Sequence, residues 1–272
     1  MSKIIDGRII AEQIKAQLKQ KAANFEKEKG RKCGLAVILV GNDPSSEIYV
    51  LNKIKACEQV GINSFVHTLK SNVSQEEVCI LVNTFNNSQD VDGILVQLPL
   101  PEHMDQAKIL ECISPKKDVD GFSPASKHIP CTALACLELI KSTGASLEGA
   151  HAVIIGRSHI VGRPVAKLLL DHDCTVTITH SKTRDLATLT RQADILISAV
   201  GKKELVTAKM VKRGAIVIDV GITRQRDVVP NRFKIFGDVD FDRVKKVASH
   251  ITPVPGGVGP VTIAMLLSNV LS

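Results

Sequence analysis

Ala152-Val-Ile-Ile-Gly156-Arg157-Ser158-His-Ile-Val161-Gly162-Arg-Pro164 is an apolar run, a glycine turn and the start of a helix. The short apolar run reads as a buried strand. Gly156 ends it where a backbone can come close to a ligand. Gly162 and Pro164 suit a tight turn into a helix, with proline near the first helical position. A helix that starts there offers free N–H groups and a positive dipole end to a phosphate. The turn is not a G-x-G-x-x-G, so taken alone it fits any strand-to-helix turn of an α/β protein equally well.

The next strand narrows that choice. Cys174-Thr-Val-Thr-Ile-Thr179 runs into His180-Ser181-Lys182-Thr183. In a dinucleotide-binding fold, an acid about 20 residues past the glycine turn holds the ribose hydroxyls of NAD. Here the strand end carries no Asp or Glu. Ser181 and Lys182 stand there, and Arg157 lies in the turn. A carboxylate repels a ribose phosphate, whereas a hydroxyl and a guanidinium bind one. The pattern therefore predicts NADP rather than NAD, with Arg157 as the phosphate partner. The competing reading of Ser181–Thr183 is a solvated loop with a helix N-cap.

The rest of the chain alternates helix and strand patterns, which argues an α/β protein. Ile10, Ile14, Leu18 and Phe25 make a helical stripe that stops at Gly30. Strands are expected at Leu35–Val40, Asn63–Leu69 and Gly93–Gln97, and helices at Pro44–Val60 and from Ser74 to Phe85. Ser74 followed by Glu77 is a capping-box signal. A second series adds a helix at Thr132–Lys141 and strands at Ile195–Val200 and Ala215–Val220. These patterns place one domain over residues 1–119 and a dinucleotide-binding domain over 120–259. An apolar helix, 260–272, packs back on the first domain, and a cleft lies between the two.

Composition excludes several classes. Hydrophobic residues at 44% and charged residues at 23% are ordinary for a soluble globular chain. No apolar run spans a membrane, and no signal-peptide segment follows Met1, so a cytoplasmic protein is expected. The net charge of +7 raises nucleic acid as a partner, but aromatics at 3%, with one Tyr and no Trp, leave no stacking platforms. A polyanionic small molecule or phosphorylated cofactor suits that charge better. The seven cysteines form no C-x-x-C and no zinc spacing, and read as reduced and mostly buried.

Candidate chemistry sits in the first domain. Tyr49 and Lys53 are four apart on a helix and share one face. An ammonium there moves protons when burial brings its affinity toward neutral pH, although a solvated surface Lys is the simpler reading. Gln97 ends a strand, where α/β proteins place ligands, or else caps a sheet edge. Asp118 and Asp120 sit in Lys117-Asp-Val-Asp-Gly121. A turn with Asp before Gly explains them better than a metal, since no third ligand is near; a lone carboxylate there could take two hydrogen bonds from an amidine-like edge. Thr252-Pro-Val-Pro255-Gly256-Gly257-Val258-Gly259-Pro260 is a loop opening onto the last helix, whose N–H groups could face a ligand. Ile222 follows the strand ending in Asp219, at the nicotinamide end of a dinucleotide site.

Taken together, these segments resemble the bifunctional methylenetetrahydrofolate dehydrogenase/methenyltetrahydrofolate cyclohydrolase family. The carrying segments are Ser46-Glu-Ile-Tyr49-Val-Leu-Asn-Lys53-Ile-Lys55-Ala56, Asp92-Gly-Ile-Leu-Val96-Gln97-Leu98-Pro-Leu-Pro101 and Lys117-Asp-Val-Asp120-Gly-Phe122. To these add Gly156-Arg-Ser158, Ile218-Asp-Val-Gly-Ile222 and Ile251–Thr262. The resemblance implies that Tyr49 stacks on the folate, Lys53 is the acid/base group of the cyclohydrolase step, and Gln97 positions it. It implies that Asp120 accepts hydrogen bonds from the pterin, that Val96 and Leu98 flank the folate, and that Pro255, Gly256, Gly257, Val258 and Gly259 close over it. Gly156, Arg157, Ser158, Ser181 and Ile222 would hold NADP. A homodimer built through the dinucleotide domains and a polyglutamylated folate substrate are also implied, with no metal. In the family a longer loop with an Asn-x-Gly segment follows Pro124; here Ala125–Ile129 spans that gap. Another two-domain NADP oxidoreductase, such as a shikimate dehydrogenase-like protein, accounts for the dinucleotide half but not for Tyr49, Lys53 and Gln97. A non-catalytic NADP-binding module leaves those side chains without a purpose.

Overall fold

The computed structural model describes residues 2–226 and 233–272. It divides into two compact units, each made of two separate segments of the chain. One comprises Glu12–Cys131 with Ile263–Ser272, the other Met1–Ala11 with Thr132–Thr262. In chain order, β1 (Lys3–Ile4), α1 (Gly7–Lys29), β2 (Gly34–Val40), α2 (Pro44–Val60), β3 (Asn63–Leu69), α3 (Gln75–Asn87), β4 (Gly93–Val96) and α4 (Gln106–Glu111) come first. They are followed by α5 (Cys131–Lys141), β5 (His151–Ile155), α6 (Gly162–Leu170), β6 (Thr175–Thr179), α7 (Leu186–Thr190), β7 (Ile195–Ser198) and β8 (Ile216–Asp219). The hairpin β9 (Thr223–Arg226) and β10 (Phe233–Phe236), then α8 (Phe241–Val244), β11 (His250–Ile251) and α9 (Val258–Val270) complete the order.

The first unit is built on a parallel sheet of order β3-β2-β4. All seven residues of β2, Gly-Leu-Ala-Val-Ile-Leu-Val, are buried, as a central strand covered on both faces requires. Val78, Val82 and Phe85 of α3 pack on Ala36, Ile38 and Val96 in its core. The capping box forms in full: the Glu77 N–H donates to Ser74 Oγ at 3.2 Å and the Ser74 N–H to Glu77 Oε2 at 3.0 Å. At the other end of α3, Lys117 Nζ donates to the carbonyls of Phe85 and Ser88 at 3.0 and 2.7 Å. A cation there meets the negative end of the helix dipole. It also anchors the Lys117–Gly121 segment, whose Asp118 forms a parallel bridge with Ile94 of β4.

The second unit is an all-parallel sheet of order β6-β5-β7-β8-β11-β1. From β5 the chain steps outward to β6 and then returns to the other side of β5 as β7. That reversal is a topological switch point, whose crevice lies at the carboxyl ends of β5 and β7. Gly156 follows β5 there with φ +116°, and a Cβ on it would stand 2.5 Å from the Ala199 carbonyl oxygen. Only glycine fits so close to the loop that leaves β7. The opening residues join this unit because Lys3 and Ile4 pair with His250 and Ile251. Strands of two residues carry no readable alternation, so sequence pattern alone groups residues 1–11 with the segment that follows them.

The expectation that the cysteines are all reduced is corrected. Cys79 in α3 and Cys112 just after α4 form a disulfide, with Cα atoms 5.9 Å apart. The two lie 33 residues apart on separate elements, so sequence spacing gives no sign of the pairing. Cys33, Cys57, Cys131, Cys136 and Cys174 are free and buried.

Candidate active site

In the first unit, α2 presents Tyr49 and Lys53 one turn apart. The helix is set by Asp43, whose carboxylate accepts from the Ser46 N–H at 2.9 Å, and by Pro44 in its first turn. Lys53 is only 9% exposed, and Tyr49 is half-buried. Lys53 Nζ donates to Gln97 Oε1 at 3.0 Å. Gln97 stands just past β4, its own N–H held by the Ile38 carbonyl at 2.8 Å. Its side-chain Nε2 donates to the Leu98 carbonyl at 2.7 Å, which leaves Oε1 as the atom that faces Lys53. Val96 turns its side chain into the core and can offer a ligand only its backbone, while Leu98 stays half-buried.

Asp120 completes this group. Protein packed around its carboxyl pushes it above the usual carboxylate range, the nearby Lys53 charge opposes that rise, and Asp118 adds to it. The loop that carries Asp120 is built by Asp118, which is 1% exposed and accepts from the Gly121 and Ser123 N–H groups at 3.1 and 2.8 Å. Asp118 is therefore the turn-former, while the Asp120 carboxyl takes a side-chain hydrogen bond from Cys131. Asn269 of α9 holds the same loop from its two ends, donating to the Val119 and Ile129 carbonyls at 2.9 and 3.1 Å. Sequence reasoning passed over Asn269; its one signal is an amide side chain in a final helix whose other polar residues are only Thr262 and Ser268. The short Ala125–Ile129 segment closes on itself, with Ser126 Oγ donating to the Asp118 carbonyl at 3.0 Å.

The second unit holds the other group. Gly156 N–H donates to the Thr179 carbonyl at 2.9 Å, which joins the carboxyl ends of β5 and β6. Ser158 Oγ accepts from the Val161 and Gly162 N–H groups at 3.2 and 3.3 Å and so caps the start of α6. Arg157, Ser158, Ser181 and Lys182 are exposed at this end of the sheet. Neither Arg157 nor Lys182 forms an ion pair among the described residues. The nearest following acid, Asp185, is taken up as the N-cap of α7. Unpaired cations, hydroxyls and a helix start without a carboxylate beside them fit a phosphate-bearing dinucleotide. Ile222 is 46% exposed beyond β8. The Pro255–Gly259 loop also belongs to this unit, where the Gly7 N–H donates to the Gly256 carbonyl at 2.9 Å. Within it Pro255 is exposed, Gly256 and Gly259 are half-buried, and Gly257 and Val258 are buried.

Known proteins match both halves of this arrangement. Residues 5–120 match the catalytic domain of tetrahydrofolate dehydrogenase/cyclohydrolase, and residues 130–272 its NAD(P)-binding domain. The chain belongs to the tetrahydrofolate dehydrogenase/cyclohydrolase family. Bifunctional protein FolD of Moorella thermoacetica is 50% identical over 98% of this chain and 97% of its own length. FolD of Paracidovorax citrulli is 48% identical over 99% and 96%. Among solved structures, the bifunctional FolD enzyme of Campylobacter jejuni superimposes with a TM-score of 0.93 at 49% identity, covering 100% of this chain and 98% of that one. The Trypanosoma brucei enzyme, solved with NADP cofactor and an inhibitor, gives 0.95 at 41% identity, covering 99% and 96%.

A shikimate dehydrogenase from Thermus thermophilus matches at a TM-score of 0.52 and 16% identity, over 87% of this chain and 99% of that one. That likeness is one of fold. Membership of the tetrahydrofolate dehydrogenase/cyclohydrolase family accounts for the first unit as well as the second. Among the described residues, no helix of this family member is long and apolar enough to cross a membrane.

Proposed function

We propose a division of labour between the two groups of side chains that matches the two activities of this family. The chain oxidises methylene-tetrahydrofolate to methenyl-tetrahydrofolate with NADP, and hydrolyses the methenyl compound to formyl-tetrahydrofolate. NADP, when bound, takes up the hydride that leaves the methylene carbon. Arg157 and Ser181 hold its ribose phosphate, Gly156 lets the backbone approach it, and Ile222 offers an apolar contact.

Lys53 is the proton carrier of the hydrolytic step. Water adds at the cationic methenyl carbon, and Lys53 Nζ, entering this step as the uncharged amine, accepts the proton that the water loses. The same proton goes to the ring nitrogen as its bond to that carbon breaks, and the proton still on the added hydroxyl is released to solvent as the formyl C=O forms. The observation that carries this reading is the 3.0 Å contact from Lys53 Nζ to Gln97 Oε1, with Gln97 itself tied to Leu98. A fixed acceptor holds Nζ in one place and so reduces the reorganisation the step requires. Asp120 as a carboxylate accepts two N–H bonds from the pterin edge, and Tyr49 covers the ring system. Val96 and Leu98 flank the folate on the same unit. The net charge of +7 favours a polyglutamylated folate, since each added carboxylate is drawn to a basic protein. The protein works as a homodimer in the cytoplasm.

A spectrophotometric assay tests the reading. Purified protein with methylene-tetrahydrofolate is expected to reduce NADP, with kcat/KM for NADP at least about tenfold above that for NAD, the worth of one phosphate contact. No turnover with either nucleotide would sink it. Equal efficiency with both would remove Arg157 and Ser181 from the phosphate role.

A further inference from the structure

Two buried carboxylates in the second unit have no part in the chemistry above. Asp219 ends β8 and is 3% exposed; Asp238 lies just after β10 and is 0% exposed. Asp219 Oδ1 accepts from the N–H groups of Gly221 and Asp238 at 3.0 and 2.9 Å, and its Oδ2 from the Val239 N–H at 2.9 Å. Asp238 Oδ2 accepts from Ser198 Oγ and the Val200 N–H at 2.9 and 2.8 Å, and its Oδ1 from the Lys202 N–H at 2.7 Å. The Asp219 N–H in turn donates to Thr252 Oγ1 at 2.8 Å, just ahead of the Pro255–Gly259 loop.

The two acids are packed reciprocally. A Cβ on Gly221 would stand 2.0 Å from Asp238 Oδ1, and one on Gly237 would stand 1.9 Å from Asp219 Oδ2. Each carboxylate occupies the space a side chain would take beside the other. Among the described residues, no cation pairs with either. Burying two acid side chains without a cation beside them is costly, and a pair of apolar residues would serve the core better. What the acids supply is a set of directed acceptors. Their donors belong to the turns leaving β7 and β8, the same sheet end at which Gly156 meets the Ala199 carbonyl.

We propose that Asp219 and Asp238 are positioning residues for the nicotinamide half of the cofactor, fixing the Val200–Lys202 and Gly221–Ile222 turns beside the switch-point crevice. The inference rests on the dinucleotide-binding reading of this unit. Neither acid touches the reacting atoms. Asp238 acts through the backbone of Val200 and Lys202, and Asp219 through that of Gly221. Together they join the return strand of the β9–β10 hairpin to the rim of the crevice.

Two variants test the pair from different sides. Asp238→Asn keeps the size but replaces one acceptor with an N–H₂ group that faces backbone donors. Gly221→Ala keeps both acids but forces the Asp238 carboxylate to move. NADP affinity is measured directly by calorimetry without folate, and steady-state KM is measured for NADP and for methylene-tetrahydrofolate. Both variants are expected to raise the NADP Kd and KM by about tenfold or more, with the folate KM within about twofold of wild type. Ser198→Ala, which removes a single donor to Asp238, guards against variants that fail to fold and is expected to raise the NADP Kd about two- to threefold. Folded variants that bind NADP as wild type does would overturn the assignment. So would a folate KM that rises in step with that for NADP, since the pair would then serve only the fold. Wild-type protein that binds neither NADP nor NAD would instead overturn the dinucleotide reading beneath it.

Discussion

Lys53 depends on what its partner is prevented from doing. A free glutamine can present either its oxygen or its N–H₂ group to an ammonium, and only the oxygen is attractive. In this protein Nε2 of Gln97 is already engaged with the Leu98 carbonyl at 2.7 Å, so Oε1 meets Lys53. Replacing Lys53 with Met keeps a similar apolar stem and removes the proton carrier. Lys53→Met is expected to lower methenyl hydrolysis by about 10²- to 10⁴-fold, the usual range for a positioned acid/base group. NADP affinity, measured by calorimetry, should stay within about twofold, because Lys53 and Arg157 belong to different units. Hydrolysis at the wild-type rate would remove Lys53 from this role. The spacing of Tyr49 and Lys53 was legible because a helix maps i and i+4 onto one face. The Gln97 contact was legible only through the family resemblance, since a strand position by itself carries no information on which distant helix faces it.

Elements with strong local signals were legible, and those defined by distant partners were not. The Ser74–Glu77 capping box, the glycine turn at Gly156 and the seven-residue apolar run of β2 all have their cause within a few residues. By contrast, β1 exists only as a partner of β11, β11 only between β1 and β8, and neither strand of the antiparallel pair β9 and β10 was expected. The Asp219 and Asp238 pair has the same character: each acid is ordinary in sequence, and only the return of β10 brings them together. The disulfide between α3 and α4 belongs here too. With Cys79 and Cys112 bonded, protein denatured without reductant is expected to titrate five thiols, and seven after reduction. Reduction is expected to lower stability by about 2–4 kcal/mol, read from urea unfolding midpoints. Seven thiols without reductant would show that the two helices are held by packing alone.

For the whole molecule, the sequence pattern already returns the last helix, 260–272, to the first domain, but it leaves the opening residues there as well, and the chain crosses between its two units more than once. Residues 1–11 sit with the six-stranded sheet and residues 263–272 with the three-stranded one. Cys33 Sγ near the Val270 carbonyl, at 3.3 Å, and Asn269 on the Val119 carbonyl tie the end of α9 into the first unit. Stability therefore reflects buried groups in both, and Asp219 is one whose burial makes it depend on pH below neutrality. Burial pushes the Asp219 carboxyl from the ordinary 3.8 up to about 7; Asp238 adds to that rise, and the N–H bonds from Asp238, Val239 and Gly221 oppose it. Between those two values the folded state keeps a proton that the unfolded chain has released. Stability from this group is then fully present below about pH 4 and is lost as pH rises toward 7, with a slope of at most about 1.4 kcal/mol per pH unit. His250, whose pKa is lowered by burial and by Lys3, acts in the opposite sense below its ordinary 6.5, because the unfolded chain takes up that proton first. A difference measurement separates the two. Asp219→Asn should be less stable than wild type at pH 5, having lost an acceptor for buried N–H groups. Its deficit should shrink steadily as pH rises to 7, because only wild type loses the proton-linked contribution there. Urea unfolding of both proteins at half-unit steps from pH 4.5 to 7.5 reads this directly. A deficit that stays constant across the range would show that Asp219 is ionised throughout and that its N–H bonds outweigh its burial.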